Sequence, residues 1–567
     1  MSENKSTGKK TSVFKKFPKT FWVANTMELF ERWAWYGLFA VLALYLTKST
    51  DEGALGFTQS QKGDIMGIVT AILYLLPIAT GAIADRFGYR KVLIVAYVIL
   101  SSGYFMMGQF NTYGLVFFSF LYVALGAAMF KPVISATIAK TTDKDTKSIG
   151  FGIFYMMVNI GGFLGPIVAS KMRIIDWNYV FIMSTASIVI NLLLVILFYK
   201  EPKRENEIKS KGIILDYIIL IWTMFTSIVI FVVFFTIFVT LFIIEPLYIF
   251  LIKIIFKVDK ERYSFKFAGY LDSLPIDESN KKIFNNITTI FKDFKFILFL
   301  LFIVGFWTMF NQIFYTLPNF IDQWVDTSSL YTFLASIWSG LAWFFGTNDG
   351  SNIVNPEIVV SFDAGFIILF QILISAIVMR YRAINAMISG IIIAAIGVGI
   401  SFATLDVGYV VLGIFIFAIG EMAASPKIIE YIGTIAPRDK VALYMGYSFL
   451  PMAIGNFFAG ILSGRVYEAM SDKVALLQAE VAKRGLEIPE ITNGFTQNDY
   501  FNKAGELMGM TQAELTDFLW INYNPSKIWI VFTIIGVIAV AGLWVYDKFV
   551  LGGKDQTNGE EKKVVVE

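Results

Sequence analysis

The sequence predicts an all-α polytopic membrane protein: two six-helix bundles with a transmembrane hairpin inserted between them, about 14 spans in all. Three observations predict it. Of 567 residues, 56% are hydrophobic, and the mean hydropathy is +0.65. Apolar runs near twenty residues, the length a helix needs to cross about 30 Å of hydrocarbon, recur along the chain. Loops bearing Lys and Arg alternate with loops poor in both, the pattern that successive crossings leave under the positive-inside rule.

The N-terminal tail, 1–20, carries Lys5, Lys9, Lys10, Lys15, Lys16 and Lys19 and is too polar for a cleaved signal peptide. Six spans at 21–46, 64–84, 92–109, 114–138, 150–170 and 178–199 form a bundle within 21–200. Residues 201–294 read as a linker. Its run 213–256 is about 65 Å as one helix, twice the hydrocarbon thickness, so it is expected to fold back as a hairpin, leaving 257–294 as a basic cytoplasmic segment. Spans at 296–320, 357–379, 384–404, 408–429, 441–465 and 526–547 form the second bundle, 295–547. Two insertions interrupt it. Residues 330–346 are apolar and aromatic, but loop charge demands an even number of crossings there, so they read as an interfacial helix on the outer face. Residues 469–525 carry amphipathic patterns and read as an extracytoplasmic subdomain; 548–567 is a second cytoplasmic tail. Basic loops at Arg86/Arg90/Lys91, Lys140/Lys144/Lys147, Lys200–Lys211, Arg380/Arg382 and Arg438/Lys440 contrast with the loop Asn319–Glu357, which has no Lys or Arg. Both termini are therefore expected in the cytoplasm, and the protein in a plasma membrane, the inner one of a bacterium.

A net charge of +3 with dispersed basic residues argues against a nucleic-acid partner. With no Cys and no His, disulfides, thiol chemistry, Cys/His zinc sites and imidazole relays are excluded, and no metal or cofactor is expected. No HExxH or G-x-S-x-G motif is present, so an enzyme is not expected. Any proton must ride on carboxylates.

Charges inside the spans mark the candidate site, because each costs about 2.5–3.5 kcal/mol at a helix centre and normally faces a bundle interior. Glu28, Glu31 and Arg32 interrupt the first span at spacings of three and four, one helical face on which they can pair. Lys131-Pro132 lies deep in the fourth span, where the lysine needs a carboxylate or anionic ligand and the proline removes a backbone hydrogen bond that another group must replace. Glu421, followed by Ser425-Pro426-Lys427, is the equivalent intrusion in the second bundle. Asn159, Asn311, Gln312 and Asn355 supply polar groups for ligands or for helix packing.

These residues carry a family resemblance. Gly81-Ala-Ile-Ala-Asp85-Arg86-Phe-Gly88-Tyr-Arg90-Lys91 resembles the cytoplasmic gating loop of the major facilitator superfamily. More specifically, the chain is similar to the proton-dependent oligopeptide transporters. The E-x-x-E-R run with Trp35-Tyr36-Gly37 resembles their first-helix motif, and Phe130-Lys131-Pro132-x-x-Ser135-Ala136 their fourth. Phe154-Tyr155-x-x-Val158-Asn159-x-Gly161 resembles the fifth, Phe306-Trp307-x-x-Phe310-x-Gln312 the seventh and Asn355-Pro356 the eighth. Gly420-Glu421-x-x-x-Ser425-Pro426 and Met445-Gly446 through Gly455-Asn456 resemble the tenth and eleventh. Three positions depart from the pattern: Phe39 stands where the family usually has an arginine, Asn311 where it often has an acid, and Thr137-Ile-Ala-Lys140 where it has Gly-Gly-Asp-Gln.

The resemblance implies a proton-coupled symporter that imports di- and tripeptides by alternating access, with a small peptide, protons and the bilayer as partners and a monomer as the working unit. It implies proton coupling at Glu28, Glu31 and Arg32. Lys131 would attract the substrate carboxylate and Glu421 its amino group. Trp35, Tyr36, Tyr74, Tyr155 and Trp307 would line side-chain pockets, with Asn159, Asn311, Asn355 and Ser425 as polar contacts. Asp85, Arg86 and Arg90 would gate. The alternatives are transport of another small anion or an amino-acid derivative, which Phe39 and Asn311 favour, and a non-transporting membrane sensor of the same fold.

Overall fold

The computed structural model describes residues 13–143, 146–202, 215–223, 293–437 and 440–551. Most of the expected hairpin and of 257–294, and parts of both tails, lie outside these; 215–223 is helical. In the first half α1 spans Lys19–Thr47, α2 Gln59–Leu75, α3 Pro77–Phe87, α4 Tyr89–Met107, α5 Tyr113–Lys140, α6 Lys147–Ile175 and α7 Trp177–Leu197. The second half has α8 (Phe294–Phe310), α9 (Gln312–Tyr315), α10 (Leu317–Trp324), α11 (Ser328–Ile337) and α12 (Ser339–Phe345). It continues with α13 (Pro356–Val378), α14 (Ala383–Phe402), α15 (Val407–Ile435), α16 (Val441–Tyr447) and α17 (Phe449–Ile461). The last helices are α18 (Lys473–Arg484), α19 (Gln497–Met508), α20 (Gln512–Tyr523) and α21 (Ile528–Val545).

Ten helical stretches among the described residues are long and apolar enough to cross a membrane. α1 and the consecutive α2 and α3 are of similar length and complete six crossings per half, so the molecule is an all-α, multi-pass membrane protein. Each half closes around its own apolar core. One runs from Phe21 through Tyr97, Phe120 and Phe130 to Phe181. The other runs from Phe299 through Phe306, Phe320 and Phe402 to Phe532.

Several crossings are broken. α8, α9 and α10 are one crossing interrupted at Asn311 and Thr316. α17 runs on through a π turn at Leu462–Val466. The stretch expected as one interfacial helix, 330–346, is two short helices meeting at Trp338, whose extended backbone ends α11.

Beyond the apolar spans, α18, α19 and α20 pack on one another as a subdomain, and their ends are coded as helix ends with orphan backbone groups must be. Thr496 with Asp499 and Thr511 with Glu514 make capping boxes, and Asp472 caps α18. Gly485, Gly509 and Asn524 close the three helices in the left-handed region.

The two halves meet most closely where α2 crosses α17. A Cβ at Gly63 would sit 2.3 Å from the Gly460 carbonyl oxygen, and one at Gly460 2.4 Å from the Gly63 oxygen, so the backbones touch and only glycine fits.

Candidate functional site

Between the halves lies a cavity of about 200 Å³ lined by α1, α2, α5 and α6 on one side and α8, α13, α15 and α17 on the other. Its polar lining includes Arg32, Tyr36, Tyr74, Lys131, Asn159 and Asn311, together with Asp363, Glu421 and Asn456.

On α1, Arg32 Nε donates to Glu31 Oε2 at 2.6 Å and lies 3.4 Å from Glu28 Oε1. The triad sits at 0–5% exposure, so three charges are held by one another rather than by water. Such pairing offsets desolvation only when geometry is close. One oxygen of each acid, Glu28 Oε2 and Glu31 Oε1, is still buried without a donor. The guanidinium also lies 5.6 Å from the Tyr36 ring centre, turning the triad's cation toward the cavity.

Lys131 is carried into the cavity on α5 just before Pro132. That proline cannot donate to the Ala128 carbonyl, and the Thr80 hydroxyl of α3 does so instead at 2.7 Å. The Lys131 ammonium stands 5.4 Å from the Tyr74 ring centre. Phe39, where a cation is missing, stacks on Trp35 at 5.4 Å and meets Tyr315 edge-on at 5.7 Å. That wall is aromatic.

Other expected site residues lie elsewhere. Tyr155 is 59% exposed, directed away from the cavity. Trp307 packs beneath α17, its Cβ 2.5 Å from where a side chain on Gly455 would begin. Asn355 starts α13 and donates to Ser170 Oγ at 2.8 Å, facing a separate hollow near the α10–α13 connection. Ser425 does not reach the lining; its Oγ is buried without a partner. At the α3–α4 corner, Asp85 accepts from Tyr89 Oη at 3.0 Å, Arg90 donates to the Ile196 carbonyl at 2.7 Å, and Arg86 lies over Phe87. Gly88, at φ 102°, makes that corner.

The structure adds four ionisable groups that the motifs do not name. Asp363 on α13 is 4% exposed and lines the cavity wall together with Glu421 on α15. Arg173 on α6 forms a two-pronged pair with Glu357 on α13, 2.6 Å from Nε to Oε1 and 3.1 Å from Nη2 to Oε2. Lys62, fully buried on α2, donates to the Tyr315 carbonyl at 3.1 Å. Each sits in a largely apolar helix beside another charge, as Glu28 does: Asp363 shares α13 with Glu357, Arg173 follows Lys171 on α6, and Lys62 precedes Asp64 on α2.

Arg173–Glu357 and Lys62–Tyr315 cross between the halves. So do Lys48–Asp322 at 3.0 Å, Gln59–Asp472 at 2.9 Å and the Thr47–Asn319 hydrogen bond. These links lie at the subdomain end, which is therefore closed.

A family model described as the Major Facilitator Superfamily matches residues 26–355. The chain is 25% identical over 192 residues to the uncharacterized transporter YclF of Bacillus subtilis, covering 33% of this chain and 38% of that protein. It is 26% identical over 182 residues to dipeptide and tripeptide permease A of Proteus mirabilis, covering 31% and 36%. The matched segments thus span little more than a third of these relatives' length. The fold superposes on a crystal structure of a peptide transporter POT in complex with sulfate, with a TM-score of 0.59, 18% identity and coverage of 92% and 94%. It superposes equally on a POT family transporter in complex with 5-aminolevulinic acid, with a TM-score of 0.59, 19% identity and coverage of 94% and 100%. The matched model covers more than half of the chain, and the two helical halves, the central cavity and these superpositions agree with it: the chain belongs to the Major Facilitator Superfamily.

Proposed function

We infer that this protein is a proton-coupled symporter of the oligopeptide-transporter kind, importing di- and tripeptides by alternating access. One observation carries the reading: the cavity between the halves sets a cation, Lys131, on the first half's wall and carboxyls, Asp363 and Glu421, on the second's. A zwitterion presents carboxylate and ammonium groups to such walls, and bringing the walls together around it couples binding to rocking of the halves. The names of the permease relatives support the same substrate class.

In this reading Glu28 and Glu31 load and release the proton while Arg32 holds them. Lys131 takes the substrate carboxylate and Glu421 its amino group. Trp35, Tyr36 and Tyr74 receive side chains, and Asp85, Arg86 and Arg90 work the opposite end. The protein is a monomeric transporter rather than a catalyst. It lies in the bacterial inner membrane with both termini in the cytoplasm and the α18–α20 subdomain outside, so the linked end of the conformation described faces outward.

A second reading, transport of an amino-acid derivative, draws on Phe39, which leaves Lys131 without a second carboxylate-binding cation, and on the 5-aminolevulinic acid complex among the superposed structures.

In proteoliposomes an inward proton gradient should drive accumulation of a mixed dipeptide library, and an uncoupler should abolish it. Accumulation driven by sodium and indifferent to the proton gradient overturns proton coupling. Uptake of 5-aminolevulinic acid with no dipeptide uptake selects the second reading.

A further inference from the structure

We propose that α11 and α12 form a strap that lies in the lipid leaflet at the subdomain end and is tied across the seam between α6 and α13, which makes the bilayer a partner of the closed end. The pair folds back on itself: a Cβ at Gly346, just past α12, would come 2.4 Å from the Tyr331 ring of α11. α11 is apolar on two faces. Leu330 and Leu334 pack into the core of the second half, while Phe333 and Ile337, one turn apart, are both 60% exposed and are followed by exposed Trp338 and Trp343. An exposed patch of large apolar side chains marks a partner.

Three observations identify that partner as lipid. The exposed hydroxyls of Thr332 and Ser336 donate back to the Ser328 and Phe333 carbonyls at 3.0 and 2.7 Å, so the apolar face carries no hydroxyl without an acceptor of its own. α12 packs on α13 through Phe345 and Phe362, 5.3 Å between ring centres, and α13 exposes Leu369, Ile372 and Leu373 further along, so the patch continues the apolar surface of a crossing. Residues 319–357 contain no Lys or Arg, so anionic headgroups are not what holds the strap; apolar burial and the interfacial preference of tryptophan are.

The tie comes from the other half. Lys171, one turn before the end of α6, donates to the Trp343 carbonyl at 3.0 Å and to the Gly346 carbonyl. Between these two acceptors, Phe345 meets Phe163 of α6 edge-on at 6.3 Å as well as Phe362 of α13, so one ring touches both halves. The strap's own chain enters from α10 and leaves into α13, both in the second half. Lipid around its aromatic side chains keeps it on that half, so it cannot follow α6 when the seam parts. Opening this end therefore forfeits both Lys171 hydrogen bonds and the Phe163 contact.

The chain has no cysteine, so each introduced cysteine is a unique site for a spin label. In phosphatidylcholine nanodiscs, a label at Trp338→Cys should collide more with dissolved oxygen than with a water-soluble nickel chelate. A label at Gln478→Cys, exposed on the subdomain, should show the reverse. Nickel-dominated collisions at 338 would give the patch to water, and dipolar broadening that vanishes on dilution with unlabelled protein would give it to a second copy; either overturns the lipid partner. Labels at Ile175→Cys on α6 and Ile337→Cys on α11, both exposed, should report one short distance across the seam, to which Lys171→Met adds a longer one. A distance distribution that Lys171→Met leaves unchanged overturns the tie.

Discussion

At Lys131 the cavity keeps a cation whose contact is an aromatic face, 5.4 Å from the Tyr74 ring centre. An ammonium over a ring gains about 0.5–2 kcal/mol, less than a charge-assisted bond to a carboxylate, so under the proposed function a substrate carboxylate would displace the ring readily. Lys131→Ala should therefore cost about 1.5–3 kcal/mol, weakening the affinity for free-acid dipeptides roughly 10- to 150-fold. C-terminally amidated dipeptides should bind the variant and the parent alike in calorimetric titrations. An equal loss for both ligands would assign Lys131 to packing or coupling instead. Residue-level legibility followed one rule with uneven reach. Glu28, Lys131 and Glu421 stand out because an ionisable group in an apolar run needs a reason. Asp363 obeys the same rule, but the motif of its helix is Asn355-Pro356, and that motif draws attention to the helix start rather than to the acid two turns in. Lys62 escapes because a hydropathy reading begins that span at 64, whereas the helix begins at Gln59 and takes the lysine inside.

Among the elements, those in the membrane and those outside it are written differently. The membrane helices are apolar almost throughout, and what they do individually is decided by breaks: Pro132 needs Thr80, and Asn311 ends α8 so that α9 and α10 can tilt separately. Hydropathy gives such spans their existence and approximate length, but not their breaks, which depend on a donor from a neighbouring helix. The subdomain helices, in contrast, announce both ends in their caps. That subdomain docks on the α1–α2 loop through Asn498, whose amide donates to Asp51 at 3.0 Å and Glu52 at 3.2 Å. Partial burial works against the Asp51 carboxylate, but hydrogen bonds from Ser49 and Asn498 hold its pKa below the ordinary 3.8. A carboxyl depressed in the folded state stabilises above its unfolded pKa, and the contribution disappears as pH falls through the folded value. Hydrogen-exchange protection factors, with the intrinsic pH dependence divided out, should accordingly stay constant in the α1–α2 loop and in α19 from pH 7 down to about 5 and fall only below the ordinary aspartate range. Asp51→Asn should remove that acid dependence.

The whole molecule is held shut at one end by links of unequal strength. Arg173–Glu357 and Lys62–Tyr315 are buried; Lys48–Asp322 is the outermost and partly wet. None of these links belongs to a motif, because a motif reports what helices share, whereas a link between halves requires knowing which helix faces which. In the proposed orientation this closed end faces outward, so an external substrate can enter only those copies in which the end has opened. Its apparent affinity is its intrinsic affinity reduced by the fraction of copies open to the outside. Partly exposed ion pairs contribute about 0.2–1 kcal/mol, so Lys48→Ala should raise that small fraction up to about fivefold. The half-saturating external concentration should fall by the same factor, measured as uptake by right-side-out vesicles, although Lys48 lies outside the cavity. A rise, or no change, would mean that this pair does not bias the resting state. Under the proposed function, the sensitivity to scarce substrate would then be set at the rim as well as in the binding site, and mutations that merely loosen the rim would offer a route to a more avid transporter at the expense of one that leaks.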